Sequence, residues 1–395
     1  MSPGIYNKSY LMTAGPTPLP PAVSQVMAEP ILYHRAPTFI EVYERALAGL
    51  KTVFQTENDV LAFASSGSGA LESAVANLVE AGEPAVVASA GKFGERWAEL
   101  CEAYGADLTH LEFEWGTKID PEQVDQALAG LDRPAKAIFV THSETSTGVV
   151  HDVETLAKVA AKYDTILCVD AVSGMGAISL PQDEWGVDVV VAGSQKALMC
   201  PPGLAFASVS QKALDAAADN PTGRYYFDWN KTANGQRKSP ADSPFTPGVP
   251  VWMALDVALK MISAEGLDNV YARHAALARA ARAGIAAIGL ERFGPDDDDA
   301  NVVTGAYLPE SIDGGKLPKL MRDGLGITVA GGQAHLKGKI VRMAHCGYYG
   351  AFDIIVALTG LEMALIDLGY DAKPGSAAGA AEKVLIEAGS PEPVG

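Results

Sequence analysis

The sequence contains little cysteine. Its 395 residues include four cysteines, and none of them forms a CxxC pair or another spacing typical of a metal site. This excludes a disulfide-rich secreted scaffold, and we predict no metal ligands. Cys168 lies within an apolar run and is interpreted as a small buried hydrophobic residue. This use of cysteine favours a reducing, cytoplasmic location.

Long hydrophobic runs and an excess of positive charge are also missing. No stretch approaches the ~20 uninterrupted apolar residues of a membrane-spanning helix, and the first residues lack the cationic start and apolar core of a signal peptide. Acidic residues (48) outnumber basic residues (30), which gives a net charge of −18. Because such a surface repels phosphate backbones, we predict neither a membrane partner nor a nucleic-acid partner.

The sequence does contain a regular alternation of short apolar runs and amphipathic stretches. Nearly continuous β-branched runs such as "VDVVVAGS" (187–194), separated by helices, predict a mostly parallel sheet covered on both faces. After about residue 250, alanine-rich helices and short strand candidates predict a smaller α+β domain. We therefore expect an α/β fold with an N-terminal arm (1–34), a large domain (35–250), a small C-terminal domain (251–372) and a flexible tail (373–395) with room for one short helix.

Two charged residues end successive apolar strands of this pattern. Lys196 follows "VDVVVAGSQ", and Asp170 closes "TILCVD". Taken singly, the lysine can extend to water and the aspartate can cap the next helix. Because ligands collect at the carboxyl ends of such strands, the two can instead face one crevice, as an ion pair or around a cofactor. Pyridoxal 5'-phosphate fits both, with the lysine on its aldehyde and the aspartate keeping its ring nitrogen protonated, so we predict Lys196 and Asp170 as catalytic residues.

Three further stretches can hold parts of that cofactor. The small residues Ser66, Gly67 and Ser68 stand between a strand and a helix, where bare N–H groups suit a phosphate, although such a segment is often only a turn. Phe93 can stack on the pyridine ring, although core packing is the commoner role of a phenylalanine. Thr145, in the polar loop "THSETSTG", can donate to the ring oxygen, and an ordinary hydroxyl-rich turn is the alternative.

An arginine within the apolar run "GKIVRMAH" requires an anionic partner. Arg342 can form a structural salt bridge, or it can bind a substrate carboxylate through two hydrogen bonds. The sequence supports these two roles about equally. In the N-terminal arm, Gly15 indicates a pocket for a short substrate side chain. We therefore predict Arg342 and Gly15 as substrate-binding residues.

Together these stretches resemble the class V branch of fold-type I pyridoxal-phosphate enzymes, in particular the alanine–glyoxylate and serine–pyruvate aminotransferase group. "GSQKAL" with its "PPG" turn, "VDAVSG", "THSETSTGV", "GPTPLP" and "KIVRMAHCG" carry the likeness, which covers roughly residues 10–370. The resemblance implies transamination of a small amino acid (Ala, Ser or Gly type) with glyoxylate or pyruvate as the acceptor. A cysteine desulfurase or other class V lyase and a phosphonate- or phosphoserine-type aminotransferase are the alternatives.

The resemblance also implies roles for residues that the pattern alone does not single out. Gln195 corresponds to a phosphate contact and Val172 to a contact with the ring face. "SPFTPG" (243–248) resembles a segment that reaches the cofactor phosphate of a neighbouring subunit, with Thr246 in that role and Ser243 where some members have tyrosine. A homodimer with shared active sites is therefore implied. The sequence departs from many members at Phe93, where they have tryptophan, and at Ser68, where some have histidine.

Overall fold

The computed structural model describes residues 8–221, 223–296 and 300–389. Within them, the strands are β1 (Tyr10–Leu11), β2 (Asp59–Phe63), β3 (Pro84–Ser89), β4 (Asp107–Glu112), β5 (Ala137–Thr141), β6 (Ser143–Glu144), β7 (Val149–Val150), β8 (Ile166–Asp170), β9 (Val189–Gly193), β10 (Ala205–Val209), β11 (Arg292–Phe293), β12 (Val303–Tyr307), β13 (Ile327–Thr328), β14 (Ala330–Gly331) and β15 (Ile340–Ala344).

The helices of the same residues are α1 (Pro21–Val26), α2 (Pro37–Phe54), α3 (Gly67–Leu78), α4 (Lys92–Ala103), α5 (Pro121–Ala129), α6 (Val153–Lys162), α7 (Gln182–Trp185), α8 (Gln211–Asp219), α9 (Trp229–Gln236), α10 (Val249–Glu265), α11 (Leu267–Ala287), α12 (Leu317–Lys319), α13 (Ala351–Asp367) and α14 (Ser376–Ala388). A π-helical turn covers Leu320–Gly324, and a 3-10 turn covers Ala334–Leu336.

A seven-stranded sheet forms the centre of the molecule, in the order β2-β10-β9-β8-β5-β3-β4. All its pairs are parallel except those of β10, which runs antiparallel to β2 and β9. Alternate side chains of a strand point to opposite faces, and the mostly apolar inner strands bury side chains on both faces of the sheet. In β5, Ile138 and Val140 join the core beneath α2, α6 and α10, whereas Ala137 and Phe139 join the core beneath α3 and α4.

Strand β4 was not among the predicted strands. It lies at the edge of the sheet and pairs only with β3. Its sequence "DLTHLE" has two apolar residues in six, and none of its residues is fully buried. An edge strand needs no apolar run on both faces, so the pattern that reveals the central strands does not reveal this one.

The C-terminal part contains a second sheet, in the order β11-β12-β15-β14, against which α11 and α13 pack. Helix α14 packs on α11 and buries Ala377 and Ala381 completely. Most of the described part of the expected tail is therefore an ordered helix. The division into arm, two domains and tail stays a prediction.

The N-terminal segment connects the two sheets. Strand β1 pairs in parallel with β13, and the Tyr349 hydroxyl donates to the carbonyls of Leu11 and Thr13 at 3.0 Å each. A few residues later, the Thr17 hydroxyl donates to the Lys196 carbonyl at 2.9 Å. The segment therefore places residues 14–16 directly against the predicted catalytic lysine.

No helix within residues 8–221, 223–296 and 300–389 combines the length and hydropathy that crossing a bilayer requires.

Candidate active site

The carboxyl ends of the central strands surround one cavity of about 330 Å³. Strands β8 and β9 are adjacent and parallel, so Asp170 at the end of β8 and Lys196 just beyond β9 reach the same edge of the sheet. The lining residues come from the arm, the strand ends and the helices that follow them: Gly15, Pro16, Ser66, Gly67, Ser68, Leu71, Phe93, Arg96, Ser143, Asp170, Val172, Ser173, Gln195, Lys196 and Pro202.

Lys196 is held in the loop between β9 and β10. The hydroxyl of Ser194 donates to the Pro201 carbonyl at 2.6 Å, which closes the loop around the lysine. The side chain is 9% exposed, and its Nζ donates to the Ala14 carbonyl at 2.5 Å. Burial lowers the pKa of the Lys196 amine, an effect that nearby Cys346 and Asp170 oppose. A lysine with a lowered pKa has a larger fraction of the neutral amine needed for base catalysis.

Gly15 lies against this lysine. A Cβ at Gly15 would stand 2.4 Å from Cδ, Cε and Nζ of Lys196, and the glycine has a φ of +140°. Both the space and the backbone conformation therefore require glycine. The structure places Gly15 in the cavity wall, and its role in substrate binding stays a prediction.

Asp170 is 4% exposed and faces the same cavity. Its Oδ1 accepts the Val172 N–H at 2.8 Å. Burial raises the pKa of the Asp170 carboxyl to about 7; the Val172 N–H opposes this shift, and nearby Glu144 adds to it. No salt bridge joins Asp170 to Lys196 within the described residues, so the two line the cavity separately and not as a closed ion pair.

The predicted phosphate loop lies at the start of α3. Ser66 precedes the helix and makes no side-chain capping bond, so its hydroxyl engages none of the first helical N–H groups. A Cβ at Gly67 would stand 2.8 Å from Cγ2 of Val172, which brings the backbone close to the residue predicted at the ring face. Gln195 contributes a buried Oε1 without a hydrogen-bond partner in the described chain.

Phe93 is held at the cavity by a buried carboxylate that sequence reasoning did not single out. Oε2 of Glu144 accepts the N–H groups of Phe93 and Gly94 at 3.0 and 2.9 Å, at the positive end of α4. Oε1 accepts the Ser146 hydroxyl at 2.5 Å, and Glu144 has no exposed surface. Burial raises the pKa of Glu144, whereas these donors lower it.

Thr145 and Arg342 form a layer behind the cavity and are not among its lining residues. Oγ1 of Thr145 lies 3.1 Å from Oγ of Ser173, which does line it. Nη1 of Arg342 donates to the Thr145 carbonyl, and Nε donates to the Gly331 carbonyl at 2.9 Å. Arg342 is 7% exposed, and among the described residues no salt bridge engages it. The structural ion pair considered for this arginine is therefore absent from the described part of the chain.

Thr246 and Ser243 lie elsewhere on the chain. Both line a different pocket, with Tyr226, Phe245 and Trp252. The structure therefore does not bring Thr246 to the cavity of its own chain.

The structure adds cavity residues that the sequence did not reveal, above all Arg96, Ser143 and Ser173. Nη1 of Arg96 donates to Oγ of Ser68 at 3.1 Å. Arg96 follows Phe93 by three positions in α4, a spacing that puts both on one helix face, and this was the available signal.

The alternative functions call for a reactive cysteine near the substrate or for additional basic groups that bind a substrate phosphate, and Cys346, Arg35 and Arg237 are candidates for these roles. Cys346 is completely buried, and burial raises the pKa of its thiol to about 11, which does not favour a nucleophilic cysteine. Arg35 pairs with Asp242 and Arg237 with Asp59, each at 2.7 Å, and neither lines the cavity. Across residues 8–221, 223–296 and 300–389, no group of three or more His, Cys, Asp or Glu residues is arranged to hold a metal ion.

These residues fit pyridoxal 5'-phosphate. The start of α3 offers backbone N–H groups at Gly67, where no side chain has room. Gln195 lines the same cavity, and an amine and a carboxylate face the cavity from adjacent strand ends. An α/β fold with this arrangement defines a pyridoxal-phosphate-dependent enzyme of fold type I.

Comparisons with known proteins agree with this class. The family model of class V aminotransferases matches residues 9–347, and the chain therefore belongs to that family. It is 41% identical to the "Soluble hydrogenase, small subunit" of Synechococcus sp. (strain PCC 6716), covering 97% of this chain and 100% of that one. It is 35% identical to the serine–glyoxylate aminotransferase of Methylorubrum extorquens, covering 96% of each. The crystal structure of an alanine–glyoxylate aminotransferase from Nostoc sp. superposes with a TM-score of 0.87 at 28% identity, covering 92% of this chain and 97% of that one.

The predicted family, the fold class, the aminotransferase assignment and pyridoxal 5'-phosphate as the cofactor are thereby confirmed. The roles of the individual site residues stay predictions.

Proposed function

We propose that this aminotransferase moves the amino group of a small amino acid, of the alanine, serine or glycine type, to glyoxylate or pyruvate. The observation that carries the proposal is that Lys196 and Asp170 line one cavity of about 330 Å³ from adjacent strand ends. Gly15 and Pro16 stand on the arm side of this cavity, where a glycine favours a substrate with a short side chain. The relatives named for serine–glyoxylate and alanine–glyoxylate transfer support the choice of donor and acceptor.

The cofactor supplies an electron sink for the carbanion at the substrate α-carbon. Lys196 would take the α-proton on Nζ and deliver it to the C4′ carbon of the cofactor, acting first as base and then as acid. Its burial favours this role because the neutral amine is the base. Asp170 holds a proton at the ring nitrogen, in a pocket whose low polarity strengthens that contact.

The other residues predicted to bind the cofactor each contact a different part of it. Ser66, Gly67 and Ser68 face the phosphate together with Gln195. Phe93 and Val172, which both line the cavity, would contact the two faces of the ring. Thr145 acts on the ring oxygen through its hydroxyl, which Ser173 orients at 3.1 Å.

Arg342 binds the substrate carboxylate. Its Nε and Nη1 are fixed by the carbonyls of Gly331 and Thr145, and its Nη2 makes no hydrogen bond among the described residues. A guanidinium held in this way on a strand is pre-organised for an anion and loses little entropy on binding.

The proposal includes a homodimer with shared sites, in the cytoplasm. Thr246 lies in a pocket apart from Lys196, beside the exposed Tyr225 and Tyr226, which supports a role toward a second copy. Mixing Lys196→Ala and Thr246→Asp chains tests this, since a shared site requires the mixed dimer to regain activity that neither variant has alone. Failure of the mixture to regain activity, or a monomeric mass, would contradict it; cell fractionation tests the location.

A panel of amino donors against glyoxylate and pyruvate tests the reaction. We expect alanine, serine or glycine to give the highest kcat/KM, with ping-pong kinetics. Larger or acidic donors as the best substrates would refute the proposed pocket. The same preparation should be assayed for sulfide release from cysteine, for phosphoserine transamination and for hydrogen uptake, the last because of the name given to the cyanobacterial relative.

A further inference from the structure

Arg96 is a cation of the cavity whose described contacts include no acidic partner. It lines the cavity with Ser68 and Lys196, and Nη1 donates to Oγ of Ser68 at 3.1 Å. In residues 8–221, 223–296 and 300–389, no salt bridge engages its guanidinium, although the protein has a net charge of −18. Asp170 of the same cavity feels the charge of Arg96 without bonding to it, and a partly buried arginine that forms no ion pair with any described carboxylate of an acidic protein indicates an anionic ligand.

The position of Arg96 is fixed by the elements around it. Helix α4 starts beside the cavity because the Glu144 carboxylate accepts the N–H groups of Phe93 and Gly94. The guanidinium carbon lies 5.0 Å from the centroid of the Phe93 ring, so the ring supports the arginine from one side. The bond to Ser68 supports it from another, at the first turn of α3.

These contacts direct the N–H donors of the planar Arg96 guanidinium toward the start of α3. The helix N-terminus there carries partial positive charge and N–H groups without intrahelical partners. A phosphate dianion is the ligand that both features attract, because guanidinium and backbone N–H donors bind different oxygens of one group. Lys196 and Asp170 approach the cavity from the ends of β9 and β8 and serve the other part of the cofactor.

We propose that Arg96 binds the phosphate of pyridoxal 5'-phosphate, together with Ser68 and the first turn of α3. The proposal rests on the cofactor site of the proposed function. It makes Arg96 the main positive charge that offsets the phosphate within one chain, since Ser66, Gly67 and Ser68 are neutral.

Equilibrium binding to cofactor-free protein tests this without any turnover. Wild type and Arg96→Gln are titrated with pyridoxal 5'-phosphate and with pyridoxal, which lacks the phosphate, following the quenching of tryptophan fluorescence. We expect Arg96→Gln to weaken binding of the phosphate form about 10- to 100-fold, the size expected when a hydrogen bond between charged groups is lost, and to change pyridoxal binding less than ~3-fold. Inorganic phosphate should compete less well for the variant by a similar factor.

Lys92→Gln is the matched control. Lys92 lies on the same helix and is held by Glu95 and Glu99 at 3.4 and 2.7 Å, away from the cavity lining, so both ligands should bind this variant as they bind wild type. If Arg96→Gln does not fold, Arg96→Lys replaces it. This variant should lose part of the affinity for the phosphate form only, because lysine keeps the positive charge but lacks the planar set of N–H donors of a guanidinium.

Equal losses for both ligands would overturn the proposal, because Arg96 would then act only by supporting the Phe93 ring. Unchanged binding of both ligands would overturn it too, as would unchanged cofactor binding with a raised KM for an acidic amino donor, which would assign the guanidinium to the substrate. A wild-type protein that binds neither ligand refutes the proposed function itself, and with it this proposal.

Discussion

Asp170 should make the stability of the cofactor-free protein fall as the pH rises from 5 to 8, and Asp170→Asn should remove that dependence. Burial raises the pKa of this carboxyl from 3.8 to about 7. The unfolded chain ionises near the ordinary value, whereas the folded chain keeps the proton until about pH 7. The folded state therefore binds more protons between these values, and stability is lost as the pH rises through this window.

The size of the effect follows from the two pKa values. Their separation corresponds to about 4 kcal/mol at most, and about 2.5 kcal/mol of it should develop between pH 5 and pH 8. Asparagine carries no charge at either pH and still offers an oxygen to the Val172 N–H. The variant should therefore gain stability relative to wild type by about that amount between pH 5 and pH 8.

Urea unfolding at pH 5, 6, 7 and 8, followed by tryptophan fluorescence, measures this difference. Asp219→Asn, at an exposed aspartate of α8, controls for the change in net charge. If the stability difference between Asp170→Asn and wild type is the same at all four pH values, Asp170 is not a carboxyl with a raised pKa, and the account of its burial fails.

Three further changes test other parts of the site. Lys196→Ala should lower kcat at least ~10³-fold and abolish the absorbance of lysine-bound cofactor, with an unchanged melting temperature; retained activity would refute the catalytic assignment. Gly15→Ala should reduce both cofactor binding and kcat because its Cβ would lie 2.4 Å from the Lys196 side chain, whereas Gly223→Ala, with nothing within 4 Å, should be silent. Glu144→Gln should destabilise the protein by about 1–3 kcal/mol and weaken cofactor binding, because an amide cannot accept from all the donors that now meet the carboxylate. Thermal unfolding measures this, with the exposed Glu154→Gln as the control. An unchanged melting temperature of Glu144→Gln would contradict the prediction.

The central strands and the pair of Lys196 and Asp170 could be predicted from the sequence because short local patterns determine them. Runs such as "TILCVD" must be buried on both faces, and a charged residue at the end of such a run requires a partner. Adjacent parallel strands then bring Asp170 and Lys196 to one edge. The order of the strands and the antiparallel direction of β10 depend on contacts between distant segments, which no local pattern records.

The contacts of individual side chains were harder to predict for the same reason. Thr145 was picked out by its polar loop, but its contacts with Ser173 and with Arg342, 197 positions away, could not be predicted. Arg96 was overlooked because a charged residue on an amphipathic helix is usually solvated, and only the packing of α4 against α3 reveals its direction.

The N-terminal arm also determines when each newly made chain becomes able to bind its cofactor. The Tyr349 hydroxyl meets the Leu11 carbonyl across 338 positions of the chain, and β1 finds its partner β13 only after that strand has been synthesised. The wall formed by Gly15 therefore closes after nearly the whole polypeptide has left the ribosome. Capture of the vitamin-derived coenzyme is then a late step in biogenesis, and chains cut short before the last strands cannot sequester it.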